Sequence, residues 1–243
     1  MNKYPRAEQY GSKFIEENWM GPNPLQLVEE LCTNMKLSSG MKVLDMGCGK
    51  GLTSIFLAKE FGVTVFANDL WIDPTENLER FKAAGVSDNV FPIHADAHNL
   101  PYAKGFFDVA IAVDSYHYFG ADEMYFPCTF SKLVKPGGQF GIVCPGLIQE
   151  FKKGYPETLK SFWNEDMFSF HSPDWWKNLW EKTGIVDITA CYNIPNPKEL
   201  WYPWAHWAKQ HRGFNDVEFI NADIENQITI FAMIAEKNTD KCE

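Results

Sequence analysis

Hydrophobic and polar positions follow two different periods along this chain, and the switch between them is regular from Gly40 to Pro145. Short runs rich in β-branched and aromatic residues are followed there by longer stretches whose apolar positions recur every three to four residues. That alternation is the sign of βαβ units on a parallel sheet. The runs predict strands over 42–45, 64–69, 90–94, 107–113 and 139–143, with a last buried strand over 227–234. Ahead of the first strand, Leu27, Val28, Leu31 and Met35 form one stripe of a helix over 24–35, whose start is fixed by Pro22 and Pro24. After Gly51, the spacing of Leu52, Ile55, Phe56 and Lys59 predicts a second helix, with Gly62 placed to cap it.

Composition divides the chain more coarsely. At 243 residues with 45% hydrophobic content it is long enough for one full core and cramped for two. Residues 1–37 precede the regular pattern, 38–145 carry it, and 146–243 hold seven of the nine tryptophans; no Gly/Ser linker or repeat separates them. A single domain with three parts is expected. The formal charge of -10 sets a repulsive field against a phosphate backbone, which argues against nucleic acid as substrate. The longest apolar run, 228–235, is too short to span a bilayer, and the N-terminus lacks a basic stretch followed by an apolar one, so no membrane partner and a cytoplasmic location are expected. Six cysteines with no C-x-x-C pair indicate neither a metal site nor a disulfide framework.

The chemistry sits at the ends of the predicted strands. The first runs through Val43, Leu44 and Asp45 into Met46-Gly47-Cys48-Gly49-Lys50-Gly51, so glycines fall where the chain must turn and let a ligand approach its backbone. A dinucleotide loop aims its N–H groups at a pyrophosphate and has little use for the leading carboxylate of Asp45, whereas a ligand bearing an ammonium group does. Asp69 ends the second strand, where a carboxylate can accept both hydroxyls of a ribose. Asp96 follows the third, placed to accept from an exocyclic amine. The fourth strand delivers Asp114-Ser115-Tyr116-His117-Tyr118 toward the same crevice, and Leu133-Val134-Lys135-Pro136-Gly137-Gly138 turns into the fifth.

In this order and spacing, the set resembles the class I, Rossmann-like S-adenosylmethionine-dependent methyltransferases, close to the small-molecule group that includes the ubiquinone and menaquinone biosynthesis enzymes. The likeness covers roughly residues 38–145. It implies a doubly wound, mostly parallel seven-stranded α/β sheet with helices on both faces and an inserted, substrate-covering segment after the fifth strand. It implies S-adenosyl-L-methionine as cofactor, with Asp45, Gly47, Cys48 and Gly49 around the methionine moiety. Asp69 would hold the ribose, Leu70 the adenine face, and Asp96 with the Ala97 backbone the adenine amine; Asp114 completes the cofactor set. A small molecule would accept the methyl group, and a sulfonium, being already a cationic leaving group, calls for no metal.

His117 is the side chain chosen as general base, because an imidazole titrates near working pH and this strand end faces the substrate. A role in packing the wall stands beside that choice. Tyr10, Trp19 and Met20 form a lid candidate whose aromatic faces could attract the sulfonium. The stretch from Pro195 to Trp207 has three roles open to it: a cover over the substrate, a contact in a homodimer, or core packing. Two other functions stay open. One is a non-catalytic protein that binds the same cofactor, and the other a nicotinamide-dependent oxidoreductase, which the Asp45-led loop disfavours.

Overall fold

The structure, a computed structural model, describes residues 3–239. Its sheet has seven strands among the described residues: β1 (Lys42–Met46), β2 (Thr64–Asp69), β3 (Val90–His94), β4 (Phe107–Val113), β5 (Val134–Leu147), β6 (Val186–Asn193) and β7 (Ile228–Lys237), in the order β3-β2-β1-β4-β5-β7-β6. The first five are parallel, and β7 runs antiparallel between β5 and β6. The helices are α1 (Ser12–Asn18), α2 (Pro24–Cys32), α3 (Leu52–Phe61), α4 (Pro74–Ala83), α5 (Ser131–Leu133), α6 (Glu157–Lys160), α7 (Pro173–Glu181), α8 (Pro197–Arg212) and α9 (Asp216–Ala222).

Both faces of the sheet are covered because successive strand residues point to opposite sides and both sides are apolar. Val43, Val65, Val109, Ile111 and Val143 face one core with Leu27, Leu31 and Ile55. Leu44, Ala110, Ala112, Phe140 and Ile142 face another with Phe126, Trp176 and Trp180. The mostly parallel seven-stranded sheet and the two-sided cover are those the resemblance implied.

Several boundaries differ from the predicted ones, and that of β5 has a readable reason. β5 runs on to Leu147, past Val143, because β7 continues the ladder as far as Leu147 opposite Ile228. Pro145 is tolerated there: Ile148 bonds Gln227 on the β7 side, so by the two-residue period the missing N–H of Pro145 faces the β4 side, where β4 has already ended at Val113. β6 was not among the predicted strands. It is an edge strand with half-buried side chains, and a register shift between Ile188 and Ala190 breaks its alternation. Helix α2 stops at Cys32, short of Met35.

Five cysteines are free thiols, and Cys242 lies outside the described residues. No group of histidine, cysteine and carboxylate side chains among the described residues could hold a metal ion. Nor is any described helix long and apolar enough to cross a membrane.

Candidate active site

Strand order reverses between β1 and β4, and in such sheets the crevice beyond the carboxyl ends at that switch is where a ligand has room. A pocket of about 400 Å³ lies there. The loop after β1 supplies Gly47, Cys48 and Gly49 to its wall, and the end of β2 supplies Asp69, Leu70 and Trp71. Asp96 and Ala97 enter from β3, Asp114, Ser115 and Tyr118 from β4, and Met20 with Gly21 from the segment before α2. Eight of the cofactor-binding residues expected from sequence thus line one cavity.

The loop is held by its own backbone and by two acids. The N–H groups of Gly47 and Cys48 donate to the Asn68 carbonyl at 2.8 and 3.1 Å. Gly47 has φ 70°, and a Cβ there would lie 2.4 Å from Cβ of Ser115, so the turn needs glycine on both counts. Asp69 staples the loop to the end of β2: Oδ2 accepts from Gly49 N at 2.8 Å, and Oδ1 from Trp71 N at 2.7 Å and Ile72 N at 3.0 Å. Oδ1 is thereby filled, and Oδ2 keeps one lone pair for a ligand.

Asp45, the ninth expected residue, does not reach the wall. It is 1% exposed, beneath the loop, and its Oδ2 accepts from the hydroxyls of Thr53 and Ser54 in the first turn of α3. Its Oδ1 has no partner, and burial pushes the carboxyl up to about 6. A carboxylate so placed shapes the loop from behind.

Asp96 is turned in on itself. Its Oδ1 accepts from the backbone N–H of His98 at 2.8 Å and pairs with the His98 ring Nδ1 at 3.0 Å, and those bonds hold the carboxyl below its usual range. Its Oδ2 is left for a ligand. Leu70, 49% exposed, offers an apolar face nearby.

At the end of β4, Asp114 adopts φ 54°, a left-handed conformation that non-glycine residues enter at a cost of about 1 kcal/mol or more. It lines the cavity, and its carboxylate has no hydrogen bond or ion pair among the described residues. His117 does not join it. The turn Tyr116–Tyr118 carries the imidazole into the interior, 3% exposed, beside Tyr118 and 5.8 Å from the Phe170 ring. Its Nδ1 is unpartnered, and desolvation pushes it down to about 3, so it is a neutral ring outside the pocket wall.

The lid candidate divides. Met20 lines the pocket with its sulfur near Gly49, whereas Trp19 is 5% exposed and packs edge-to-face on Trp204 and Trp207 of α8. Tyr10 packs on Phe56 and donates to Glu60. The Trp-rich part therefore backs the strap that carries Met20 and Gly21, and contributes no side chain to the wall itself. Ser115 and Tyr118, delivered toward the crevice by β4 but given no role of their own, line the wall, and Trp71 is the lining residue that sequence reasoning passed over. The signal for Trp71 was its place two residues past the acid of β2, on an exposed turn.

Residues 43–138 match the family model described as a methyltransferase domain. The chain is 33% identical over 119 residues to methyltransferase GfsG of Streptomyces halstedii, covering 48% of this chain and 42% of that protein. It is 28% identical over 179 residues to phosphoethanolamine N-methyltransferase 1 of Arabidopsis thaliana, covering 72% of this chain and 34% of that protein. These matches span less than half the length of either relative. Among solved structures, geranyl diphosphate C-methyltransferase of Streptomyces coelicolor A3(2) superposes with a TM-score of 0.69 at 16% identity, over 86% of this chain and 77% of that one. That likeness is one of fold. The matches are a likeness to methyltransferases and do not confirm the quinone-biosynthesis subgroup.

Proposed function

We propose, on the premise that residues 43–138 form a class I methyltransferase domain, that this chain transfers a methyl group from S-adenosyl-L-methionine to a small-molecule acceptor. The observation that carries the reading is the convergence of the glycine loop, Asp69 and Asp96 on one cavity, each from a different strand end.

The residues present fit that cofactor. Asp69 has its backbone bonds made and one Oδ2 lone pair left for a ribose hydroxyl; Asp96 Oδ2 and the Ala97 backbone would meet the adenine amine; Leu70 supplies an apolar face. The loop at Gly47 and Gly49 admits close backbone approach, and the buried, unpartnered Asp45 Oδ1 keeps negative charge beneath it. When bound, S-adenosyl-L-methionine supplies a methyl carbon on a cationic sulfur leaving group. The protein's share is then positioning: Met20 and Gly21 line the cavity from the segment before α2, and Asp114 and Tyr118 from the end of β4. Holding nucleophile and methyl carbon in line removes much of the barrier by itself.

Incubation of the purified protein with methyl-labelled cofactor and a panel of amines, phenols, thiols and stabilised carbanions tests the reading. S-adenosylhomocysteine should form only when an accepted small molecule is present, and label should appear in that molecule. Tight cofactor binding with no transfer to any class would instead favour a non-catalytic binding protein.

A further inference from the structure

The geometry points to Asp114 as the acceptor-end carboxylate of this site, one that anchors a cationic amine and takes the proton its nitrogen gives up on methylation. The inference rests on the methyltransferase reading and narrows it to N-methylation.

The argument begins with what the other pocket acids have and Asp114 lacks. Asp69 accepts three backbone N–H bonds, and Asp96 accepts from His98 N. No donor among the described residues reaches the Asp114 carboxylate. It is held in place, half-buried at the cavity wall: Gly21 is pressed so close that a Cβ there would lie 1.8 Å from Asp114 Oδ2, and Ser115 fixes the adjoining backbone by donating to the Met46 carbonyl at 2.6 Å. A half-buried carboxylate that lines a cavity and has no protein partner is free to pair with a ligand cation.

The surroundings favour a ligand cation. Asp216, at the start of α9, adds like charge. The one lysine of the pocket wall, Lys50, donates instead to the Glu17 carbonyl at 3.1 Å. On the open side stand two aromatic rings, Tyr118 and Trp71, 50% and 65% exposed, which meet edge-to-face with centroids 5.5 Å apart. Aromatic faces beside a carboxylate suit an alkylammonium group and offer nothing to an anionic acceptor.

Burial, reinforced by Asp216, pushes the Asp114 carboxyl up to about 7, which matches a proton acceptor to near-neutral working pH. The bound ammonium gives one proton to Asp114, and the freed nitrogen lone pair forms the new N–C bond as the C–S bond breaks, its electron pair going to sulfur. The product nitrogen is again cationic, and the proton on Asp114 passes to water. His117, turned into the interior, has no part in this step.

The test uses protein preloaded with S-adenosylhomocysteine, whose own binding is measured first; failure at that stage overturns the methyltransferase reading and this inference with it. Choline and its neutral isostere 3,3-dimethyl-1-butanol are then titrated calorimetrically. Choline should bind at least tenfold tighter than the isostere, Asp114→Asn should abolish that preference, and Asp114→Glu should keep part of it. Equal binding of the two probes, binding of neither, or a preference retained in Asp114→Asn overturns the inference. So does a variant that loses S-adenosylmethionine but keeps S-adenosylhomocysteine, because the carboxylate would then serve the sulfonium and not the acceptor.

Discussion

Replacing Asp69 with alanine is expected to weaken binding of S-adenosylhomocysteine about a hundredfold. The side chain receives three backbone N–H groups, from Gly49, Trp71 and Ile72, so its loss frees the glycine loop and the end of β2 together. Hydrogen bonds to a charged group contribute roughly 1.5–3 kcal/mol each, and about 2.7 kcal/mol corresponds to that hundredfold change. Because the acid is 7% exposed, the ligand-free variant should also melt earlier, but by less than the loss of affinity would suggest, since water can reach the freed donors of an open loop. Asp69→Asn keeps one acceptor oxygen and should fall between parent and alanine. Calorimetric titration of the three proteins checks the order; unchanged affinity in Asp69→Ala would remove this residue from the binding site.

The second large effect is one of stability and has an unusual sign. Ligand-free Asp114→Asn should be more stable than the parent at pH 8, by roughly 1–3 kcal/mol, which is several degrees in melting temperature for a domain of this size. The folded carboxyl sits at about 7 against an ordinary 3.8, so the folded state holds its proton after the unfolded chain has released it. Stability from this group is therefore fully present below about pH 4 and is lost as pH rises to 7. Asparagine has nothing to titrate and gives up no hydrogen bond, because the parent carboxylate makes none. The advantage of the variant should shrink to half or less at pH 5. A variant less stable than the parent at pH 8, or one whose advantage does not change with pH, would mean that the carboxylate is compensated in the folded protein.

How much of this was legible beforehand differs from one residue to the next. The sheet was readable because each parallel strand is a short apolar run closed by a turn residue, and because tight turns leave few choices: Gly47 could be nothing else, given φ 70° and Ser115 above it. Asp69, Asp96 and Asp114 were legible as strand-end acids, since strand ends converge at the switch point. What their side chains bond to was not. Whether Asp45 lines the cavity or lies beneath it depends on α3 turning Thr53 and Ser54 toward it, a tertiary fact with no local signature. His117 shows the same limit. A 3-10 turn of three residues decides whether the imidazole or the neighbouring Tyr118 faces the ligand, and the rings of Tyr116, His117 and Tyr118 look alike to a pattern of polarity. The tryptophans were the least legible. Trp176 and Trp180 complete a core, while Trp204 and Trp207 brace Trp19 behind the strap, and only their neighbours in space separate the two uses.

The most direct test of the central claim is calorimetric titration of the purified protein with S-adenosylmethionine and S-adenosylhomocysteine, with NADH as the control ligand. Micromolar binding of both sulfur ligands, and none of NADH, is the predicted result; binding of NADH with neither sulfur ligand would contradict it.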